Sequence, residues 1–279
     1  MFDHSCPKSR FRQVLSRLSG KSALERNLVF RPSRFPEGNW KPDALAFEDV
    51  WFRSADGTRL HGWYSPHPRP RAFVLFAHGI SGNLTDRAEI VRVFHEKLDL
   101  SVLAFDYRGF GRSEGKPSEA GILADARAAR GWLAEREGID EHDVILLGRS
   151  LGGAVTIDLA ARDGCRGLVL QNTFTTLAEA VSFHIPWFSV RRLLKSIMEA
   201  RLDSLSKISQ YKGPLLQSHG KEDSVVPFRL GQKLFSRARG PKRFISVPGD
   251  DHNQPATDEF CHAFDEFLSS LPPPRSHRD

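Results

Sequence analysis

Val144-Ile145-Leu146-Leu147-Gly148-Arg149-Ser150-Leu151-Gly152-Gly153 is the stretch on which the reading of this chain turns. Val144–Leu147 is a short, continuous apolar run of the kind that forms a strand buried on both faces. Leu151–Arg162 then follows a helical pattern. The joint between them is Gly148-x-Ser150-x-Gly152. A strand that turns at once into a helix leaves no room for side chains two residues either side of the serine, which accounts for the two glycines. The same turn lifts the Ser150 hydroxyl above the strand, at a helix N-terminus whose dipole favours developing negative charge. In this strand–turn–helix setting the pentapeptide reads as a nucleophile rather than a plain turn.

Working outward, apolar strands alternate with amphipathic helices. Ala72–Ala77, Val102–Phe105, Leu168–Gln171, Leu215–Ser218 and Phe244–Val247 read as strands. Ile90, Val93, Phe94 and Leu98 share one helical face, as do Ile122, Ala126, Ala129 and Leu133, and finally Phe260, Ala263, Phe264, Phe267 and Leu268. Asp56-Gly57 separates Phe47–Phe52 from Leu60–Tyr64 and predicts a hairpin. Strand–helix alternation implies parallel pairing through right-handed crossovers, hence an α/β fold with helices on both faces of the sheet. The interval 172–212 is too long for an ordinary connection and carries Phe174, Phe183, Trp187 and Met198, which predicts a helical lid.

The chain has 279 residues and a formal charge of +6. Residues 1–34 hold eight Lys or Arg against Asp3 and Glu25, which accounts for the whole excess; the rest carries 32 residues of each sign. The remainder, which includes the domain expected at 35–271, is therefore balanced, and the basic pI of the whole chain is no argument for nucleic acid. Phe11, Val14, Leu15 and Leu18 lie on one helical face of the arm, with Arg10, Arg12, Arg17 and Lys21 on others. That pattern suits peripheral contact with an anionic membrane surface, and equally a helix docked on its own domain or simple solvation of a flexible terminus. Residues 272–279 open with three prolines and read as a flexible tail. Three scattered cysteines, no apolar run long enough to span a bilayer and no secretory h-region lead to the expectation of a cytoplasmic protein.

A serine hydroxyl needs a base. Of eleven histidines, His252 in Gly249-Asp250-Asp251-His252-Asn253 falls between the last strand and the last helix, in the chain order Ser, acid, His. The acid is expected after the preceding strand, where Glu222 and Asp223 stand. Asp223 is preferred, because Asp250 and Asp251 are too near in sequence for their side chains to fold back on the imidazole. His219 reads as structural, and so does Asp106. Two backbone N–H groups should meet the oxyanion: Leu151, directly after the serine, and Ile80 in His78-Gly79-Ile80-Ser81-Gly82, with Ser81 as the fallback.

His78-Gly79, Phe105-Asp106-Tyr107-Arg108-Gly109-Phe110-Gly111-Arg112-Ser113, the Gly148–Gly153 elbow, Gly220-x-x-Asp223-x-x-Val226-Pro227 and Gly249-x-x-His252 together resemble the α/β-hydrolase superfamily. The likeness is strongest to its single-domain serine esterases and acyl-hydrolases with a Gly-Arg-Ser-Leu-Gly-Gly elbow, and runs in order from about Ala44 to Leu271. It implies a mostly parallel sheet of eight-stranded type, an N-terminal antiparallel hairpin and a short helical lid. Members similar to this chain include carboxylesterases, lipases, thioesterases and some peptidases. Ser150 at the elbow departs from the aspartate of haloalkane dehalogenases and epoxide hydrolases. His78-Gly79-Ile80-Ser81 departs from the His-Gly-Gly-Gly of the hormone-sensitive type.

The expectation is a serine hydrolase acting on small-molecule or lipid acyl esters or thioesters, with Ser150, Asp223 and His252 catalytic, Ile80 and Leu151 at the oxyanion, and no metal or organic cofactor. Phe174, Phe183, His184 and Trp187 are expected to line the acyl pocket, against the alternative of ordinary lid core. Two rivals stand beside this reading. An aminopeptidase would carry acids in the lid to hold a substrate amine, whereas 172–212 has six basic residues and three acidic. A non-catalytic binding protein would have no use for an intact Ser150, Asp223 and His252.

Overall fold

Successive side chains of a strand point to opposite faces, and the central strands carry apolar residues on both faces and are almost wholly buried, so each of them feeds two cores. The computed structural model describes residues 30–183, 202–249, 251–252 and 256–274. Ten strands are described: β1 (Arg31–Pro32), β2 (Glu48–Arg53), β3 (Arg59–Ser65), β4 (Ala72–Ala77), β5 (Ser81–Gly82), β6 (Leu100–Phe105), β7 (Ile145–Arg149), β8 (Gly167–Gln171), β9 (Leu215–Gly220) and β10 (Lys242–Val247). The α-helices are α1 (Ala88–Leu98), α2 (Glu119–Glu137), α3 (Leu151–Asp163), α4 (Leu177–Phe183), α5 (Ser204–Ile208), α6 (Phe228–Arg237) and α7 (Asp258–Ser270).

Eight strands form one sheet in the order β10-β9-β8-β7-β4-β6-β3-β2, while β1 and β5 make a separate parallel pair. The β2–β3 and β3–β6 pairings are antiparallel and every other pairing in the large sheet is parallel. This is the mostly parallel α/β sheet with an N-terminal hairpin that the sequence implies. Leu75, Leu103, Leu146, Leu168, Leu170 and Leu215 join the apolar residues of α2 and α3 in one core cluster. Their neighbours Val74, Val102, Ile145, Leu147, Val169 and Leu216 join Val91 and Phe94 of α1 and Phe260 and Phe264 of α7 in the other. Helices on both faces follow directly from that alternation.

Local chemistry sets the helix ends. Ser118 accepts the Gly121 N–H at the start of α2, and Gly138 closes that helix in the left-handed region (φ 63°). Thr257 caps α7 by accepting the Phe260 N–H. Within the interval read as a lid, residues 184–201 lie outside the described ones. Its two described ends belong to the body: Thr173, Phe174 and Leu177 are buried on one side, Leu202, Ile208 and Tyr211 on the other. Residues 1–29 of the arm read at 1–34 also lie outside the described residues, whereas Phe30 is buried in the core and Arg31–Pro32 pairs with Ser81–Gly82. Pro272 of the tail accepts a hydrogen bond from Arg166 Nε (3.0 Å). Among the described residues no helix is long and apolar enough to cross a membrane.

The parallel pairing has one consequence for function. The C-terminal ends of β4, β7, β8 and β9 all open on one edge of the sheet, where ligands of open α/β sheets bind.

Candidate active site

Ser150 sits between β7 and α3 with φ 53° and ψ −116°. A non-glycine residue with positive φ carries strain of about 1–3 kcal/mol, so surrounding bonds must hold it there. The Ser150 N–H donates to Gln171 O (2.9 Å), and Ser150 O accepts from Gly153 N–H (3.0 Å) and Thr173 Oγ1 (2.8 Å). The glycines around it answer to specific atoms. A Cβ at Gly148 would lie 2.3 Å from Gly152 O, and one at Gly152 only 1.8 Å from Ala77 O. One at Gly153 would lie 2.4 Å from Thr173 Oγ1, a requirement that sequence reasoning had not explained. The tight turn thus packs against β4 on one side and the end of β8 on the other.

The loop after β10 returns His252 to this serine across 102 residues of sequence. His252 Nε2 lies 3.1 Å from Ser150 Oγ, and His252 Nδ1 lies 2.8 Å from Asp223 Oδ2. A carboxylate only accepts, so Nδ1 carries the proton facing it and Nε2 is left as the acceptor for the serine O–H. Asp223 Oδ1 accepts the N–H groups of Val225 (2.9 Å) and Val226 (2.7 Å), which anchors the carboxylate. The structure therefore brings together the three side chains that the sequence nominated. Glu222, the other acid in that loop, is exposed.

Asp251 does not reach the imidazole. Its Oδ1 accepts from the His252 N–H (2.7 Å) and from the N–H and Oγ of Ser224 (3.1 and 2.9 Å), stapling the histidine loop to the acid loop. The His252 N–H first, then the two donors of Ser224, hold this carboxyl below the usual range. His219 is fully buried, with Nε2 donating to Val226 O (2.9 Å); burial pushes its pKa down. It braces the turn behind Asp223. Asp106 Oδ1 accepts the Leu84 N–H (3.0 Å), fixing the start of the segment after the β5 strand. Both behave as structural groups.

On the opposite side, the loop after β4 approaches the serine: a Cβ built at Gly79 would stand 3.7 Å from Ser150 Cβ. His78 Nδ1 donates to Gly79 O (2.8 Å), and Tyr107 O–H donates to His78 O (3.0 Å). Ile80 follows at once, partly buried against the core, and Leu151 opens α3 directly after Ser150.

The aromatic residues nominated for a pocket fare differently. Phe174 is 2% exposed and belongs to the core, so its placement fits the packing alternative rather than an open pocket wall. Phe183 is 42% exposed, with the Arg229 guanidinium 5.8 Å from its ring centroid. His184 and Trp187 lie outside the described residues. Sequence reasoning missed Arg149, Asn172 and Thr173, which hold the backbone of the central residues. Only the position of Arg149 inside the pentapeptide hinted at a role.

Several known proteins are similar to this chain in sequence or fold. The family described as "Serine aminopeptidase, S33" matches residues 68–202. An uncharacterized protein of Mycobacterium tuberculosis is 40% identical over 83% of this chain and 81% of its own length. The α/β hydrolase domain-containing protein WAV2 of Arabidopsis thaliana is 35% identical over 75% of this chain and 73% of its own. An esterase of Pyrococcus furiosus superposes with a TM-score of 0.70, covering 87% of this chain and 97% of that one at 20% identity, a likeness of fold. This chain belongs to the α/β-hydrolase superfamily.

Proposed function

We propose that the protein is a serine hydrolase that cleaves carboxylic esters or thioesters through an acyl-enzyme intermediate. The observation that carries this reading is the unbroken line from Asp223 Oδ2 through His252 to Ser150 Oγ, on a strained turn at the sheet edge. Ser150 Oγ attacks the acyl carbon while His252 Nε2 takes its proton, and Asp223 stabilises the imidazolium. The carbonyl oxygen, now an oxyanion, is met by the N–H groups of Ile80 and Leu151. Collapse expels the alkoxide or thiolate, which His252 protonates. Water, deprotonated by the same imidazole, then releases the carboxylic acid and restores Ser150. The fold likeness to an esterase supports the choice of ester chemistry. No step calls for a metal or organic cofactor.

The test is hydrolysis of p-nitrophenyl esters of graded chain length, together with labelling by a fluorophosphonate. Turnover and labelling by the wild type, both abolished in Ser150→Ala, are expected; equal rates in the two proteins would sink the reading. A second reading, amide cleavage at a peptide N-terminus, is favoured by the description of the matching family. An aminoacyl-amide series in the same assay decides between them, and the basic balance of residues 172–212 favours the ester.

A further inference from the structure

We infer that Arg149 and Asn172 are positioning residues that hold the backbone carbonyl of His252 and so set its imidazole on Ser150. The inference rests on the reading of Ser150 as nucleophile and adds two residues to it.

Both donors converge on one oxygen. Arg149 Nη2 donates to His252 O at 2.7 Å and Asn172 Nδ2 donates to it at 3.2 Å. A carbonyl oxygen has two lone pairs and can take both. Arg149 is the last residue of β7 and Asn172 directly follows the neighbouring strand β8; they are 7% and 4% exposed. A buried guanidinium beside a reacting serine is costly to desolvate, and its charge-assisted bond to a carbonyl offsets part of that cost. The His252 N–H is meanwhile held by Asp251. Both backbone polar groups of the histidine are therefore tied down, which fixes where its side chain starts.

Asn172 is suited to this task in a way that few residues are. Its φ is 47°, the left-handed region that asparagine tolerates better than other non-glycine residues. Its backbone N–H donates to Ser218 O (3.1 Å), and its side-chain Oδ1 accepts the Gly220 N–H (3.0 Å). With the oxygen committed to Gly220, the amide nitrogen must face His252. One side chain thus ties the end of β8 to the end of β9, from which Asp223 hangs, and to the histidine loop. Glycine would relieve the backbone but lose both side-chain bonds. Gln171 O and Thr173 Oγ1, on either side of Asn172, hold Ser150 itself. The three residues 171–173 therefore set nucleophile and base against each other.

The test measures kcat and KM on a p-nitrophenyl ester, the rate of fluorophosphonate labelling and the thermal midpoint for four variants. Arg149→Met keeps the unbranched stem of the side chain but not its guanidinium donors; Asn172→Asp keeps the bond to Gly220 and places an acceptor against His252 O. Each is expected to lower kcat and labelling roughly 10- to 100-fold, the scale of a misplaced catalytic group, with KM within about twofold. Arg149→Lys, which retains a donor, should recover most of the loss. The double variant should fall by less than the product of the single effects, because both act on one oxygen. Wild-type kcat and labelling in folded Arg149→Met and Asn172→Asp would overturn the inference, as would a loss confined to KM. Should Arg149→Met fail to fold, Arg149→Lys and Asn172→Asp carry the same comparison. A wild type that neither turns over nor labels would instead overturn the serine-hydrolase reading. The positioning is then read from the downfield proton resonance of the His252 ring N–H facing Asp223, which should broaden in Arg149→Met and would be unchanged if the inference is wrong.

Discussion

Asp223 Oδ2 stands 2.8 Å from Nδ1 of His252, while the other oxygen of the same carboxylate is held by the N–H groups of Val225 and Val226. The carboxylate is anchored by backbone on one side and free to orient a ring on the other. Asp223→Asn should keep the anchored oxygen and turn its NH₂ toward the ring. Nδ1 must then accept, and the proton moves to Nε2, where it blocks the approach of the serine O–H. We expect kcat to fall by about a thousandfold or more, with little change in KM or thermal midpoint. A loss below about tenfold would show that the tautomer is not set by Asp223.

Asp251 acts one step further out. Asp251→Ala removes the acceptor shared by His252 N–H and Ser224. The histidine loop keeps its carbonyl anchors but loses the one at its amide. A fall in kcat of roughly tenfold with a modest drop in thermal midpoint is expected, read by steady-state kinetics beside thermal unfolding. Unchanged kcat would place the staple outside the reaction.

Gly152 and Gly57 make a contrasting pair. A Cβ at Gly152 would collide with Ala77 O at 1.8 Å and Ala77 C at 2.4 Å, both backbone atoms of the central strand β4. A Cβ at Gly57 meets nothing within 4 Å, although φ there is +84°. Gly57→Ala should therefore cost only the backbone strain, about 1–2 kcal/mol. Gly152→Ala should cost more than that, with loss of soluble folded protein as its extreme, and urea denaturation ranks the two. Equal costs would mean that the elbow yields more easily than its backbone contacts suggest.

Stability should respond to pH through His219 and His61. Both are fully buried, and burial pushes both below the ordinary value of 6.5. The unfolded chain therefore binds protons more readily than the native one in the interval below 6.5. The contribution these histidines make is complete above that pH and is lost as pH falls toward their folded-state values. The unfolding free energy should drop between pH 7.5 and 5.5, and more steeply in the wild type than in His219→Gln. Identical slopes would exclude His219 as a contributor.

The parts of this site that are local in sequence were legible there. Gly148-x-Ser150-x-Gly152 needs only the neighbouring strand and helix to be understood, because the steric constraint acts within a few residues. The apolar strands and the faces of α1, α2 and α7 were legible for the same reason: alternation and helical spacing report burial directly. The roles of Arg149 and Asn172 were not legible. Their partner is a backbone carbonyl 103 and 80 residues away, and every residue has a carbonyl, so no residue type marks the contact. Phe174 shows the converse: from sequence an aromatic side chain in this interval could line a pocket or fill core, and the structure places it in the core cluster.

By itself the sequence determined the strand–helix order, the tight turn that carries Ser150 and the chain order of Ser150, Asp223 and His252. These depend on short-range sterics and on apolar periodicity, which are written residue by residue. Tertiary structure alone decided that Asp251 ties the His252 N–H to Ser224, and that Arg149 and Asn172 share the His252 carbonyl. Those outcomes depend on where the ends of parallel strands lie beside one another. Strand neighbours are set by the packing of the whole sheet, and no single stretch of the chain encodes them.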